Sequence, residues 1–395
     1  MSMPCPPILF IVFNRPKYTK RVFAAIRKAK PSKLYIACDG ARRNIHGELE
    51  QVNESRKIAT NVDWNCTVKT FFRQENSGSA GKGVGEAINW FYKNEPEGII
   101  LEHDCVPNSS FFQFCAEMLE KYRNNKNVFG IVGYNPLGNY KGSKDYYFTQ
   151  PMILWGIAGW ANKWLPFYSF SLKNYNRKYL KNFYPKNMVY EFWEHILDLM
   201  ILGKIDTWDY QYIFQCVAND GLFIQSSKNL ISNIGIDGIH FTPNMSKNSS
   251  GRKLLFTKAY ELQKLKHPQK IELNKGITKV LAKIRINNFK YPNIVLPKAA
   301  KNKQIYLWGT GDFGILTLRV LEKKNYKILG FIDSNELLQK KEFLDYMVFS
   351  PKTVLQKFPS DKIFIVISTT KYAEEIKDIL ISNKLKENFD FWRLV

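Results

Sequence analysis

Residues 99–105 read IILEHDC, an apolar run that ends on Glu102, His103 and Asp104. A carboxylate leaving a buried strand loses hydration unless something positive meets it. Two acids around an imidazole at a strand tip suit a hard divalent cation with positions left open for phosphate oxygens and water, or contacts to ribose beside one. Either arrangement fits a nucleoside diphosphate, whose charge must be offset before it can leave. Similar residues close the neighbouring apolar runs. ILFIVF (8–13) stops on Asn14 and Arg15, and the arginine fork suits a phosphate. KLYIACDG (33–40) stops on Asp39, which can accept from a base or a ribose. The turn NSGSAGKG (76–83) presents backbone N–H groups and Lys82 at a helix start, an anion seat. Farther on, Asp209 lies between Trp208 and Tyr210 in DTWDYQYIF, a setting for a general base with an acceptor ring held over it. His240, in NIGIDGIHF, is a candidate to reach a metal or a phosphate. Each feature has a plainer reading: strand-end acids cap turns, and Asp209 can cap the helix that follows it. Convergence is what would give them weight.

The elements needed to bring them together are legible in the apolar pattern. Buried strands are expected at 8–13, 33–40, 67–73 and 98–104, alternating with helices over YTKRVFAAIRKA, after the Gly-rich turn, and over SSFFQFCAEMLEKYRN from Ser109 or Ser110. Short strand–helix alternation predicts an α/β layer fold with a largely parallel sheet, whose ligands collect beyond the carboxyl ends of the strands. Asn14, Arg15, Asp39 and Glu102–Asp104 all fall at such ends. Residues 146–170 are dense in aromatics and suit a cleft lined with flat rings. Residues 252–303 hold 14 Lys/Arg against two Glu, and GITKVLAKIRINNF within them can form a basic amphipathic helix with Ile277, Leu281 and Ile284 on one face. Such a helix suits a solvated linker or a peripheral contact with an anionic inner membrane. From residue 304 the pattern restarts: strand, Gly309-Thr310-Gly311-x-x-Gly314, helix, then a strand ending on Asp333, 24 residues beyond the first glycine. That is the dinucleotide fingerprint in its proper context, although the turn itself also needs the glycines.

The totals bound the class. The chain has 395 residues, 45% hydrophobic and 24% charged, an ordinary globular composition with room for two domains. The net charge of +23 favours polyanionic partners such as phosphorylated ligands, an anionic membrane or nucleic acid. Six scattered cysteines without a CxxC pair fit reduced thiols in a cytoplasm. The N-terminus lacks the features of a secretory signal, and no run of about 18 apolar residues occurs.

Taken in order, FNRP, ACDGAR, the Gly-rich helix start, ILEHDCVPNSSFFQFC, WGIAGWANKW, DTWDYQYIF and NLISNIGIDGIHF resemble bacterial GT-A-fold glycosyltransferases of the nucleotide-diphospho-sugar transferase superfamily. They are similar, more distantly, to the eukaryotic N-acetylglucosaminyltransferases that begin complex N-glycans. The resemblance covers residues 6–250. It implies a GT-A domain over 1–250; the lysine-rich stretch reads as a basic helical linker over 251–303 and the restarted pattern as a Rossmann-like domain over 304–395. It further implies inverting transfer from a UDP-linked sugar with a divalent cation, Mn or Mg, held by Asp104. Glu102 and His103 would lie toward the nucleoside, Asn14, Arg15, Asp39 and Lys82 would hold phosphate and base, and Asp209 would deprotonate the acceptor. Trp155, Trp160 and Trp208 would stack on that acceptor, a glycan or lipid-linked glycan of a surface polysaccharide. His103 departs from the Glu-Asp-Asp of relatives. Imidazole can replace a carboxylate at a ribose, or shift the preferred ion toward one that accepts nitrogen. The last 95 residues resemble small Rossmann-like domains of bacterial sugar acetyltransferases, which leaves Gly309, Gly311, Gly314 and Asp333 as candidates for a second nucleotide site.

Two other classes compete. An NAD-dependent oxidoreductase or epimerase would use the GTGDFG unit, but no Tyr-x-x-x-Lys pair or catalytic His–acid set accompanies it. A non-catalytic polyanion-binding protein would rest on the net charge of +23 and the basic segment, but a nucleic-acid reader would thread aromatics through that stretch, whereas here they cluster elsewhere.

Overall fold

A computed structural model describes residues 3–235, 257–262, 265–287, 289–357 and 361–393. The chain divides into two compact units, Met1–Tyr190 with Asp206–Asn288, and Glu191–Ile205 with Phe289–Val395.

The first unit begins with strands β1 (Ile8–Val12), β2 (Lys33–Cys38), β3 (Thr67–Phe72) and β4 (Glu97–Glu102). They pair in parallel in the order β3-β2-β1-β4. All of β1 is buried, which is why ILFIV is apolar without alternation. Helices α1 (Pro16–Ala29), α2 (Glu48–Thr60) and α3 (Ala80–Asn94) make the crossovers. Proline stands at the first position of α1, where a missing N–H costs nothing. Ser79 caps α3, its Oγ accepting from Lys82 N at 3.0 Å. After the short β5 (Cys105–Pro107), α4 (Ser109–Tyr122) opens on Asn108 rather than on either serine. Asn108 Oδ1 accepts from Phe111 N at 3.1 Å, and Ser109 and Ser110 instead hold Glu261.

Beyond β4 the sheet becomes mixed. Strands β6 (Val128–Val132), β7 (Tyr146–Thr149), β8 (Ile157–Trp160) and β9 (Leu222–Ser226) extend it to the order β3-β2-β1-β4-β8-β6-β9-β7. Strand β8 runs antiparallel to both β4 and β6. Helices α5 (Ala161–Trp164), α6 (Lys186–Ile201) and α7 (Asp209–Ala218) fall between them, and β10 (Ile231–Asn233) pairs antiparallel with β5. The expected parallel half is therefore present, and the aromatic middle third supplies antiparallel strands to the same sheet.

The domain limits differ from those expected at two places. The segment expected as a linker is divided between the units: its described residues up to 287 belong to the first and residues 289–303 to the second. Tyr260 N donates to Asn229 O at 2.8 Å, His267 Nδ1 meets the Tyr146 hydroxyl at 2.9 Å, and Asn274 N donates to Phe148 O at 2.8 Å. Helix α8 (Lys275–Ile286) buries Ile277, Leu281 and Ile286 against protein, with Ile284 half-buried. The apolar face expected to meet a membrane is thus already covered. No helix among the described residues is long and apolar enough to cross a membrane.

The second departure is Glu191–Ile205, which joins the C-terminal unit. Arg319 forks onto Asp198 at 2.7 and 2.8 Å, and the Tyr291 hydroxyl donates to Glu194 at 2.7 Å. A fully buried Asp198 needs that partner, supplied 121 residues later. This unit carries β11 (Gln304–Trp308), β12 (Lys327–Ile332), β13 (Glu342–Phe343), β14 (Tyr346–Phe349), β15 (Ile363–Ile367) and β16 (Phe391–Arg393) in the order β13-β14-β12-β11-β15-β16. Only the β13–β14 pairing is antiparallel. Helices α9 (Asp312–Lys323), α10 (Pro351–Leu355) and α11 (Ala373–Ser382) complete it.

Candidate functional site

Strand register decides where the chemistry gathers. Val12 pairs with Cys38, Cys38 with Phe72, and Ile11 with Glu102, so four parallel strands end nearly level. The residues that follow leave at one rim: Asn14 and Arg15 after β1, Asp39 after β2, Arg73 after β3, and His103 and Asp104 after β4. They line a cleft of about 480 Å³, whose other wall is Trp155, Asp206–Asp209, Asn233 and Gly235. Arg15, Asp39, Asp104 and Asp209 therefore share one cavity.

Its most charged corner is the tip of β4. Burial, then the charges of Asp104 and Asp209, push the Glu102 carboxyl up to about 8, with a hydrogen bond from Trp208 opposing. Burial also lowers the His103 imidazole, against the pull of Asp104 and together with the charge of Arg15. Its Nε2 is buried without a hydrogen-bond partner among the described residues. An Arg15 nitrogen stands 3.6 Å from Asp104 Oδ2. A side chain at Gly235 would put Cβ 2.2 Å from Asp104 Oδ2, so this glycine leaves room for the carboxylate. Among the described residues no group of three or more His, Cys, Asp or Glu is gathered as a ligand set. The donor types present, carboxylate oxygens of Glu102 and Asp104 and the unpartnered Nε2 of His103, are ones that a divalent cation can take.

Asp39 is held rather than free. Gly40 N and Ser77 N donate to its Oδ1 at 2.9 and 3.0 Å, and the Ser77 hydroxyl donates to Oδ2. It thereby fixes the turn before α3. Arg73 Nε is 3.9 Å from the same carboxylate, buried, and without a hydrogen-bond partner among the described residues, while Arg73 also pairs with Glu86. Asn14 donates to Glu48 Oε1 at 2.8 Å. Glu48 is buried and also accepts from Arg42 N at 2.7 Å and Nε at 3.0 Å. The hydrogen bonds from Arg42 hold its carboxyl below the usual range, against the cost of burial. Arg42 in turn lines the cleft. Arg73, Arg42 and Glu48 were not singled out from the sequence. Arg73 obeys the same strand-end rule as its neighbours, so the signal was there; nothing local marks Glu48.

The expected anion seat is occupied by the chain itself. Ser79 Oγ, Ala80 N and Gly81 N donate to Asp206, the last two at 2.8 and 2.9 Å. Lys82 is exposed and lies outside the cleft lining, because its position on α3 turns it to solvent. Gly81 lets this contact form: a Cβ there would lie 2.3 Å from Thr207 O. Asp209 opens α7 two residues later, its Oδ1 accepting from Thr207 Oγ1 and from Tyr210 N at 3.0 Å. It is therefore the first residue of the helix rather than its cap, a position held by Trp208 without a side-chain hydrogen bond, and it lines the cleft. Trp155 and Trp208 are in the lining; Trp160 is not, being buried with its indole N–H bonded to Leu119 O at 3.3 Å. His240 lies outside the described residues.

In the second unit the glycines serve the turn. Gly309 has φ +123°, open to glycine, and a Cβ on Gly314 would lie 2.2 Å from Gly309 O, whereas one on Gly311 would meet nothing. Asp333 closes back onto this loop, accepting from Thr310 N at 3.2 Å and Oγ1 at 2.6 Å.

Residues 301–388 match a protein family described as C2185-like, N-terminal. No curated protein matches the chain. Among solved structures, the chain is similar to that of RSP, a Rex-family repressor, at 20% identity and a TM-score of 0.21, covering 32% of this chain and 56% of the other. The structure of RSP in complex with beta-NADH matches at 21% identity and 0.21, over 30% and 52%. The matches thus span about half the length of those chains, and so low a TM-score carries no inference about this fold or its ligand.

Proposed function

We propose that the first unit is a GT-A-type inverting glycosyltransferase that moves a sugar from a nucleotide sugar, UDP-linked in the favoured reading, to a hydroxyl of a glycan or lipid-linked glycan in bacterial surface polysaccharide synthesis. The observation that carries this reading is the shared cleft. Arg15, Asp39, Asp104 and Asp209, from four separated segments, line one cavity of about 480 Å³, a size suited to a small ligand; in this reading they serve the phosphates, the nucleoside, the cation and the acceptor proton. Asp209 accepts the proton of the acceptor hydroxyl. The freed oxygen attacks the anomeric carbon on the face opposite the diphosphate, and the bond from that carbon to the phosphate oxygen breaks with both electrons on the departing nucleoside diphosphate. Arg15, beside Asp104, faces that diphosphate. A divalent cation, Mn or Mg, supplies further charge neutralisation when bound, and Asp104 would hold it, with Glu102 and His103 toward the nucleoside. Trp155 and Trp208 offer flat faces to the acceptor sugar.

Thermal-shift screening against nucleotide sugars, with and without manganese, identifies the donor. Asp209→Asn should then bind that donor in calorimetry within about threefold of wild type while transfer falls by about a hundredfold or more. Full transfer by this variant would remove Asp209 from the mechanism.

A further inference from the structure

From Tyr146 through Tyr190 the chain contains no Asp or Glu, yet it carries Lys163, Lys173, Arg177, Lys178, Lys181 and Lys186. The last part of that stretch is a rigidly seated surface segment. Leu172, Leu180 and Phe183 are buried beneath it, Asn176 caps the 3-10 turn Arg177–Asn182, and the Tyr175 hydroxyl donates to Phe214 O at 3.2 Å. The rings of Tyr175 and Phe183 pack on Phe214 at 5.1 and 5.6 Å. Phe214 belongs to α7, the helix that Asp209 opens. Outside this seat, Lys173, Lys178, Lys181 and Lys186 are exposed, and none has a carboxylate within ion-pair distance among the described residues. Ahead of them Leu165 and Phe170 project at 39% and 45% exposure. Tyr168, between these two, stacks on Trp164 at 4.2 Å and feels the charge of Asp209.

We infer that Leu165–Lys186 is a docking surface for an anionic lipid bilayer. The geometry pairs uncompensated lysines, which are drawn to acidic headgroups, with exposed apolar side chains that can enter the interface. This assignment replaces α8, whose apolar face is spent on packing. It places the bilayer on the outer side of a segment that packs through Tyr175 and Phe183 on the helix that begins with Asp209. It goes beyond the transferase proposal and does not depend on it, since lipid binding is measured without donor or acceptor.

The test is co-sedimentation of the full chain with vesicles of phosphatidylcholine alone or containing one third phosphatidylglycerol. Binding should require phosphatidylglycerol and weaken with added salt. The combined variant Lys173→Glu, Lys178→Glu, Lys181→Glu should bind about a hundredfold or more weakly, since each lysine near such a surface contributes about fivefold. Phe170→Ser, with all charges kept, should lose roughly tenfold. Lys279→Glu with Lys283→Glu, on the exposed face of α8, should change binding by only a few-fold. The inference is overturned if vesicles bind without phosphatidylglycerol, if the triple reversal binds as wild type does, if the α8 pair matters more, or if a single-stranded oligonucleotide competes the chain off vesicles through these same lysines. Loss of transfer in Asp209→Asn with vesicle binding intact, or the reverse in the lysine variant, separates the two proposals.

Discussion

Gly81→Ala adds one methyl where the candidate base is positioned. Its Cβ would lie 2.3 Å from Thr207 O and 2.6 Å from Thr207 C, both backbone atoms that cannot rotate aside. Ordinary contact needs roughly 1 Å more, so the Thr207 segment must retreat from α3 by about that distance. Asp209 follows two residues later and moves with it. The hydrogen bond from Gly81 N to Asp206 at 2.9 Å is strained by the same shift. Overpacking costs about 1–3 kcal/mol, and alanine in place of glycine returns up to about 1 kcal/mol of helix propensity. Net destabilisation should therefore be modest, about 0–2 kcal/mol. Catalysis is more sensitive: a misplacement of about 1 Å costs on the order of a hundredfold. Donor turnover should accordingly drop by about that factor, with stability to guanidinium lowered by no more than about 2 kcal/mol and donor affinity within a few-fold. Ala80→Gly, one residue earlier, is the control. It costs up to about 1 kcal/mol of helix stability without a clash and should leave turnover intact. Wild-type turnover in Gly81→Ala, in a protein of wild-type stability, would refute the claim that this contact sets the position of Asp209.

Two further perturbations read the electrostatics of the rim. Glu48 is buried with a lowered carboxyl pKa, so its charged form contributes stability above the ordinary value of 4.5 and that contribution is lost as pH falls through the lowered one. Glu48→Gln should cost about 1–3 kcal/mol at neutral pH, measured by denaturant unfolding, with the gap to wild type closing in acid; a gap independent of pH would mean that Arg42 and Asn14 do not depend on its charge. Glu102 behaves oppositely. Its pKa rises from 4.5 to about 8, so the stability of its protonated form is present below 4.5 and lost as pH climbs through about 8. Glu102→Gln should melt a few degrees above wild type at alkaline pH with chelator present, and level with it in acid.

The half of the site set by strand ends was visible in the sequence because a parallel sheet converts position along each strand into position in space. Asn14, Asp39 and Asp104 could be placed on one rim without knowing any side-chain contact, and Arg73 could have been added by the same rule. The contacts that failed to show are long-range and two-sided. Asp206 fills the N-terminus of α3 from more than 120 residues away, and nothing in NSGSAGKG announces that its donors are taken. Asp198 similarly reads as one acid on an amphipathic helix until Arg319 meets it, which hid the second unit's claim on residues 191–205. The basic helix misled for a related reason: a 3.6-residue apolar stripe states that a face is buried, not what buries it. Ile277 and Leu281 are satisfied by protein. The segment 165–186, with no clear periodicity, is where cations and apolar side chains remain together at the surface. Partner surfaces are therefore better sought where the pattern leaves apolar groups unexplained after folding than where the pattern is strongest.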